Sequence, residues 1–276
     1  MKEQTIKFLL TVAGSLFMLT FCLAPFVYMV VVSCSSNPHF LSAASSFSFT
    51  LKNYHAILTT PSLHFLDYLQ NSLIVSALSA VFSILIAGLA AYAFTRLKVP
   101  GKLLILLLVL AVSLFPQISL ISCLFKLMAE LGWVNTYAAL ILPYIAWTLP
   151  LCVWILVSYF AQIPQDLDNA GLIDGCSRWQ VMYKIVFPVA APGIFSTALL
   201  AFIFAFNEFM FALMLTTDYQ ARTIPVGIAL FQGLHGQTPW GNIMAASSLS
   251  ALPLVLLSLV FQRHIIQGLT RGALKG

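Results

Sequence analysis

Charge is scarce in this chain: of 276 residues only 8% are Asp, Glu, Lys or Arg, while 61% are hydrophobic. That is about a third of the charged share of an ordinary soluble domain. The composition excludes a soluble globular protein and implies an integral membrane protein. Cysteine is sparse too. Cys22, Cys34, Cys123, Cys152 and Cys176 are scattered, mostly within or beside apolar runs, with no metal-like pairing, and read as small apolar filler. A phosphate loop is also missing. It requires Gly, four residues, then Gly-Lys followed by Ser or Thr, whereas Gly101-Lys102 is followed by Leu103 and Arg96 stands where the leading Gly belongs. The chain therefore lacks the means to hydrolyse ATP, and no catalytic or metal site is expected in it. No internal repeat is evident.

Long apolar runs are what the chain has in abundance. Six meet the length of roughly 20 residues that a helical span needs: about 8–32, 72–94, 103–123, 138–160, 192–215 and 243–265. The first could pass for a secretory signal, because Lys2 and Lys7 precede it. It is too long for the roughly 7–15 residues of a signal core, and it contains Pro25, so a retained span is expected. The predicted fold is an all-α membrane protein of six transmembrane helices forming a single domain over 1–276. An even number of spans puts both termini on one side. If that side is cytoplasmic, the inner flanks hold Lys2, Lys7, Arg96, Lys98, Lys102, Arg178, Lys184, Arg263, Arg271 and Lys275, against Lys52, Lys126 and Arg222 outside. This is the positive-inside pattern. The net charge of +5 thus reflects topology and gives no reason to expect a nucleic-acid partner.

The outer loops are uneven. Residues 33–71 are Ser-rich and contain His39, His55 and His64, whose spacing suits surface positions in a small cap and not a metal site. The loop around 216–242, with Gly227, Gly233, Gly236, Gly241 and Trp240, predicts a short re-entrant or interfacial helix with turns. Pro116, Pro143, Pro150 and Pro253 fall within or beside spans, where each marks a kink. Glu208 is the single carboxylate inside an apolar run, next to Asn207. At membrane depth such a group faces a cavity or a partner helix, which leaves two roles open: an outer gate or substrate contact, or a hydrogen bond to a helix of a partner subunit. Tyr144, Trp147 and Trp154 could stack on a sugar ring or could simply pack.

The inner loop 161–189 holds three of the eight acidic residues. Pro164 ends the fourth span, Asp166 and Asp168 suit the first turn of a short helix, and Leu167, Ala170 and Gly171 form a small face. Asp174-Gly175 reads as a turn at the helix end. Ser177-Arg-Trp-Gln180 has the form of a capping box that starts a second helix running towards Pro188. The expectation is a helical hairpin parallel to the membrane surface, serving as a docking surface for a soluble partner.

At these residues the chain resembles the permease subunits of ATP-binding-cassette (ABC) importers. Their inner loop reads Glu-Ala-Ala, three residues, Gly, then Ile-x-Leu-Pro; here it is Asn169-Ala170-Gly171, Gly175 and Ile185-Val-Phe-Pro188. Asn169 departs from the Glu, Gly171 from the second Ala and Phe187 from the Leu, while Asp168 keeps a carboxylate one residue earlier. Leu114-Phe-Pro-Gln-Ile, Leu131-Gly-Trp-Val-Asn-Thr-Tyr, Leu140-Ile-Leu-Pro-Tyr, Phe206-Asn-Glu-Phe and the tail Gln267–Gly276 extend the resemblance to the six-span subunit of the maltose-type carbohydrate branch. Cys123 stands where that branch often has Pro.

The resemblance implies a type I ABC importer permease fold with a cytoplasmic coupling helix, in the bacterial cytoplasmic (inner) membrane. It implies as partners a second homologous permease, two cytoplasmic ATPase subunits that bind ATP and Mg, an extracytoplasmic solute-binding protein and a carbohydrate of the oligosaccharide or disaccharide class. The coupling residues would be Asp168, Asn169, Ala170, Gly171, Asp174 and Gly175; the translocation path would involve Asn207, Glu208, Tyr144 and Trp147. Within the family, a non-sugar solute such as a glycerol phosphodiester or a compatible solute is the alternative cargo. Outside it stand a secondary transporter, which would need more ionisable groups at the midplane, and a membrane scaffold, which would leave the inner hairpin unexplained.

Overall fold

The computed structural model describes residues 2–37, 48–231 and 239–273, with side chains at 4–37, 48–231 and 239–262. His39, Gly233, Gly236 and Lys275 lie outside the described residues, as do the side chains of Lys2, Arg263 and Arg271. The described residues are overwhelmingly helical, and their β-structure is one isolated bridge, Ser35 to Phe49. Five helical stretches are long and apolar enough to span a membrane, and a bent helix pair makes a sixth. By packing, the chain divides into two compact units: 1–65 with 228–252, and 66–227 with 253–276.

In the first unit, helix α1 (Lys2–Ser33) is apolar around its whole circumference, with Phe8, Phe17, Phe21 and Phe26 all exposed. Such a helix is stable where lipid or another apolar chain covers it. After α1 the chain folds back, and α2 (Lys52–Thr59) is tied to the helix end. Asn53 Nδ2 donates to the carbonyls of Ser33 (2.8 Å) and Ser35 (3.0 Å), and the Ser33 and Tyr54 hydroxyls share a hydrogen bond of 2.7 Å. His55 sits exposed on α2.

In the second unit, α3 (Phe65–Arg96), α6 (Tyr137–Phe160) and α9 (Phe187–Phe206) make the core. Small residues permit close approach: Gly193 of α9 lies under the Tyr159 ring, where an added Cβ would sit 2.5 Å from the ring. One apolar cluster, with Ala87, Ala91, Leu156, Phe160, Val186 and Ala190, lies towards the inner loop. A second, with Leu140, Tyr144, Phe211, Leu215 and Val226, lies at the other end of α6.

The third expected span, 103–123, is broken. Helices α4 (Lys102–Val112) and α5 (Gln117–Glu130) meet at 85°. Before the break the hydrogen bonds tighten to three-residue turns, Ser113 to Leu110 (3.0 Å) and Leu114 to Ala111 (3.1 Å). Pro116 then removes a donor and holds extended backbone at φ −67°, ψ 125°. The kink expected at Pro116 is thus a full change of direction, whereas Pro143 and Pro150 are absorbed inside α6.

Candidate functional site

The loop 161–189 forms from strong local signals. Helix α7 (Asp166–Ile173) carries Asp166 and Asp168 in its first turn. It ends in a Schellman closure: Cys176 N–H donates to Gly171 O (2.9 Å) and Gly175 N–H to Leu172 O (3.2 Å), with Gly175 at φ +84°. Ser177 and Gln180 complete the expected capping box, Gln180 N–H to Ser177 Oγ at 3.3 Å and Ser177 N–H to Gln180 Oε1 at 2.7 Å. Helix α8 (Arg178–Val181) starts there.

The second arm departs from the expected surface hairpin. It continues through a π-helical segment, Met182–Val186, straight into α9, so that 178–206 is one helical run and Pro188 does not stop it. Proline cannot donate to the carbonyl four residues back and its ring crowds that carbonyl. The five-residue register, in which Phe187 N–H donates to Met182 O, opens the turn and takes up the misfit.

The six expected coupling residues fall on two faces. Asn169, Ala170, Asp174 and Gly175 are exposed, together with Leu167, Leu172, Trp179 and Ile173, the last 86% exposed. Gly171 is buried against Val181 and Ile185, so the small face expected from Leu167, Ala170 and Gly171 reduces to Gly171 alone. Asp168 is also turned inwards. It forms an ion pair with Arg96 Nε, the two side chains being 11% and 5% exposed, and so does not supply an outward carboxylate in place of the missing Glu. Burial pushes its pKa above the usual carboxylate value and the Arg96 guanidinium pulls it partly back. Arg96 also donates to the carbonyls of Phe160 (3.3 Å) and Ile163 (3.0 Å). From sequence Arg96 counts merely as an inner-side charge; its position at the end of a span, facing an Asp-rich loop, was the available signal.

At the other end, the fifth span is interrupted where Asn207 and Glu208 stand. Helix α9 stops at Phe206, and α10 (Met210–Leu215) begins after a turn. Asn207 is exposed, its amide donating to Ile203 O at 2.8 Å. The Glu208 carboxylate accepts from the backbone N–H of Phe211 (2.9 Å) and Ala212 (3.2 Å), satisfying donors that the start of α10 leaves free. Sequence reasoning weighed a gate and a partner contact for this residue and missed the helix-terminus role, because an uninterrupted apolar run conceals the break.

Tyr144 is 1% exposed beside Glu208 and Thr223, a core position and not an open stacking surface. Trp147 is half-buried, edge-on to Phe211 at 6.4 Å. It lines a cavity of about 280 Å³ with Leu110, Ser113, Thr148, Leu151 and Phe204. Trp154 is exposed.

A further polar cluster, unforeseen from sequence, fixes the connection after α10. Asn135, at φ +63°, donates to Asp218 Oδ1 (2.9 Å) and accepts from the N–H groups of Thr217 (3.0 Å) and Asp218 (3.2 Å). The Asn135 bond and the Gln220 N–H hold the Asp218 carboxyl below its ordinary pKa. Asn71 donates to the carbonyls of Tyr219 and Arg222, both at 2.9 Å, and accepts from Tyr137 OH at 2.6 Å. The expected short helix in this loop is α11 (Ile224–Ala229), and Ser72 Oγ accepts from Ile224 N–H at 2.7 Å.

Residues 20–271 match the family described as binding-protein-dependent transport system inner membrane component. The chain is 54% identical over 277 residues to the trehalose/maltose transport system permease protein of Thermococcus litoralis, covering 100% of both. It is 44% identical to the sulfoquinovosyl glycerol transport system permease protein of Agrobacterium fabrum, covering 82% of this chain and 79% of that one. Among solved structures it superposes on a chain of a bacterial ABC transporter that imports the acidic polysaccharide alginate, with a TM-score of 0.79, 17% identity and coverage of 95% and 98%.

Proposed function

Because this chain belongs to the binding-protein-dependent transport system inner membrane component family, we propose that it forms half of the translocation path of an ATP-driven importer for a carbohydrate of the disaccharide class. It is a permease subunit and not an enzyme, and in this reading ATP and Mg are bound by separate ATPase subunits. The whole of 1–276 acts as one permease domain, paired with a second homologous permease, with both termini cytoplasmic and an extracytoplasmic binding protein delivering the cargo. The cargo class rests on the 54% identity to a trehalose/maltose permease across the full chain.

The observation that carries the mechanism is the exposed face of α7 and α8. Leu172, Ile173 and Trp179 stand open on a loop too well ordered by its caps to be a linker, and Asn169 and Ala170 lie beside them. Apolar side chains presented on a rigid polar loop are a docking surface, here for the ATPase. Gly175 sets the direction in which the second arm leaves α7, and the unbroken helical run 178–206 carries motion into the fifth span.

The test is co-purification. Ile173→Asp should leave the two permeases associated and strip the ATPase from them, abolishing uptake of labelled trehalose and maltose. ATPase retained at wild-type stoichiometry with uptake intact would overturn the docking assignment. Uptake of a compatible solute or a glycerol phosphodiester in place of both sugars would overturn the cargo class.

A further inference from the structure

Docking at the exposed face of α7 makes no use of the buried face, yet that face carries a buried ion pair. Arg96 is the last residue of α3. Its guanidinium meets Asp168 in the first turn of α7 and the carbonyls of Phe160 and Ile163 where α6 ends. One side chain thus joins three elements. A second attachment of α7 is apolar, Gly171 resting on Val181 and Ile185 and so on the run that becomes α9.

The two attachments differ physically. An apolar contact is non-directional and tolerates sliding, whereas an ion pair whose guanidinium also donates to two backbone carbonyls has a fixed orientation. Beside the pair a cavity of about 200 Å³, lined by Tyr92, Gln165, Asn169, Leu172, Arg178 and Val181, leaves α7 without close apolar packing on that flank. A short turn-bonded link joins α6 to α7 along the chain and Tyr92 OH reaches Arg178 O (3.4 Å), but Arg96 ties α7 itself to the ends of both α3 and α6.

We propose that Arg96 is a positioning residue of the coupling mechanism: by clamping Asp168 to the inner ends of α3 and α6, it makes those two spans move with α7, in parallel with α9. This rests on the functional reading above and adds a second transmission route to it. Without the Arg96 contacts α7 keeps its capped turn onto α8 and its Gly171 contact with the π-helical segment but loses its side-chain tie to α3 and α6, so the same stroke would reach α9 and be passed only weakly to α3 and α6. The consequence is a permease that assembles and docks its ATPase yet fails to convert closure into opening of the path.

The experiment compares reconstituted complexes, with their binding protein and either trehalose or maltose, by the ratio of stimulated to unstimulated ATP hydrolysis at equal complex abundance. Arg96→Gln and Asp168→Arg should each reduce that ratio at least about tenfold, within the ordinary range of coupling free energies, while the ATPase still co-purifies. The swap Arg96→Asp with Asp168→Arg should recover about half or more of the wild-type ratio, the non-additivity expected of a contacting pair. Where Arg96→Gln alone fails to assemble, the swap decides. A ratio near wild type in Arg96→Gln, or a swap that assembles and remains uncoupled, would overturn the clamp. A wild-type complex that neither sugar stimulates overturns the functional reading and the clamp with it; a stimulated wild type confines any failure to the clamp.

Discussion

Gly175 shows how much can depend on one backbone angle. It sits at φ +84°, and a Cβ added there would meet nothing within 4 Å. A substitution is therefore resisted by the backbone and not by crowding. Gly175→Val should cost about 1–2 kcal/mol, the penalty for forcing an L-residue left-handed, with a β-branched side chain at the upper end. Gly175→Asn should cost less, since Asn tolerates that region. Thermal unfolding of the purified complex and sugar-stimulated ATP hydrolysis should rank wild type, Asn and Val in that order. Equal values for Asn and Val would mean that the turn relaxes at no cost. Gly171 is the opposite case, a helical glycine whose Cβ would collide with Ile185 and lie 3.2 Å from Val181 Cγ2. The two glycines lie four residues apart and are needed for different reasons, one for conformation and one for space.

Element boundaries are where the polar groups of this apolar chain are used. Helix α10 is only six residues long, too short to hold itself together. The Glu208 carboxylate at its start takes up two backbone donors, which is favourable near a helix N-terminus both as hydrogen bonding and as dipole compensation. Glu208→Ala should destabilise the α9–α10 break by about 1–2 kcal/mol. Glu208→Gln, which keeps one suitable oxygen, should lie between Ala and wild type. Uptake and complex stability should fall together across the series if capping is the whole role. A Glu208→Gln complex of wild-type stability that has lost uptake would instead return Glu208 to the translocation path. The π-helical turn at 182–186 and the 85° break at 113–116 are further boundary effects. Both answer to a proline, yet Pro188 is accommodated by an opened turn and Pro116 by a change of chain direction.

For the whole molecule, the distribution of basic residues is a statement about orientation. Ten of the 13 lie in the flanks assigned to the inside, and the same assignment puts α7 and α8 on the cytoplasmic side where an ATPase can reach them. Cysteine labelling in a background without the five native cysteines checks it. Ser62, exposed beside α2, should react from outside, and Arg178, exposed at the start of α8, only after permeabilisation. The reverse accessibility would invert the topology and remove the docking surface from the ATPase's compartment.

The sequence by itself determined what depends on composition and on neighbours along the chain. Six apolar runs of spanning length and the basic bias of their flanks are read from composition alone, and the Asp-rich first turn of α7, the Gly175 turn and the Ser177–Gln180 capping box arise from interactions within a few residues and appear where the pattern puts them. The tertiary structure decided what depends on groups distant in sequence. Asp168 lies next to Asn169, but it faces inwards because Arg96, 72 positions earlier, supplies the charge that makes its burial tolerable. Likewise Asn71 holds the carbonyls of Tyr219 and Arg222, and Tyr144 is enclosed by the cluster containing Phe211 and Val226. In an apolar chain hydrophobicity marks almost every residue alike, so it fixes the spans without saying which faces meet. The few polar groups must find partners wherever the packed helices bring them, and that choice is made in three dimensions.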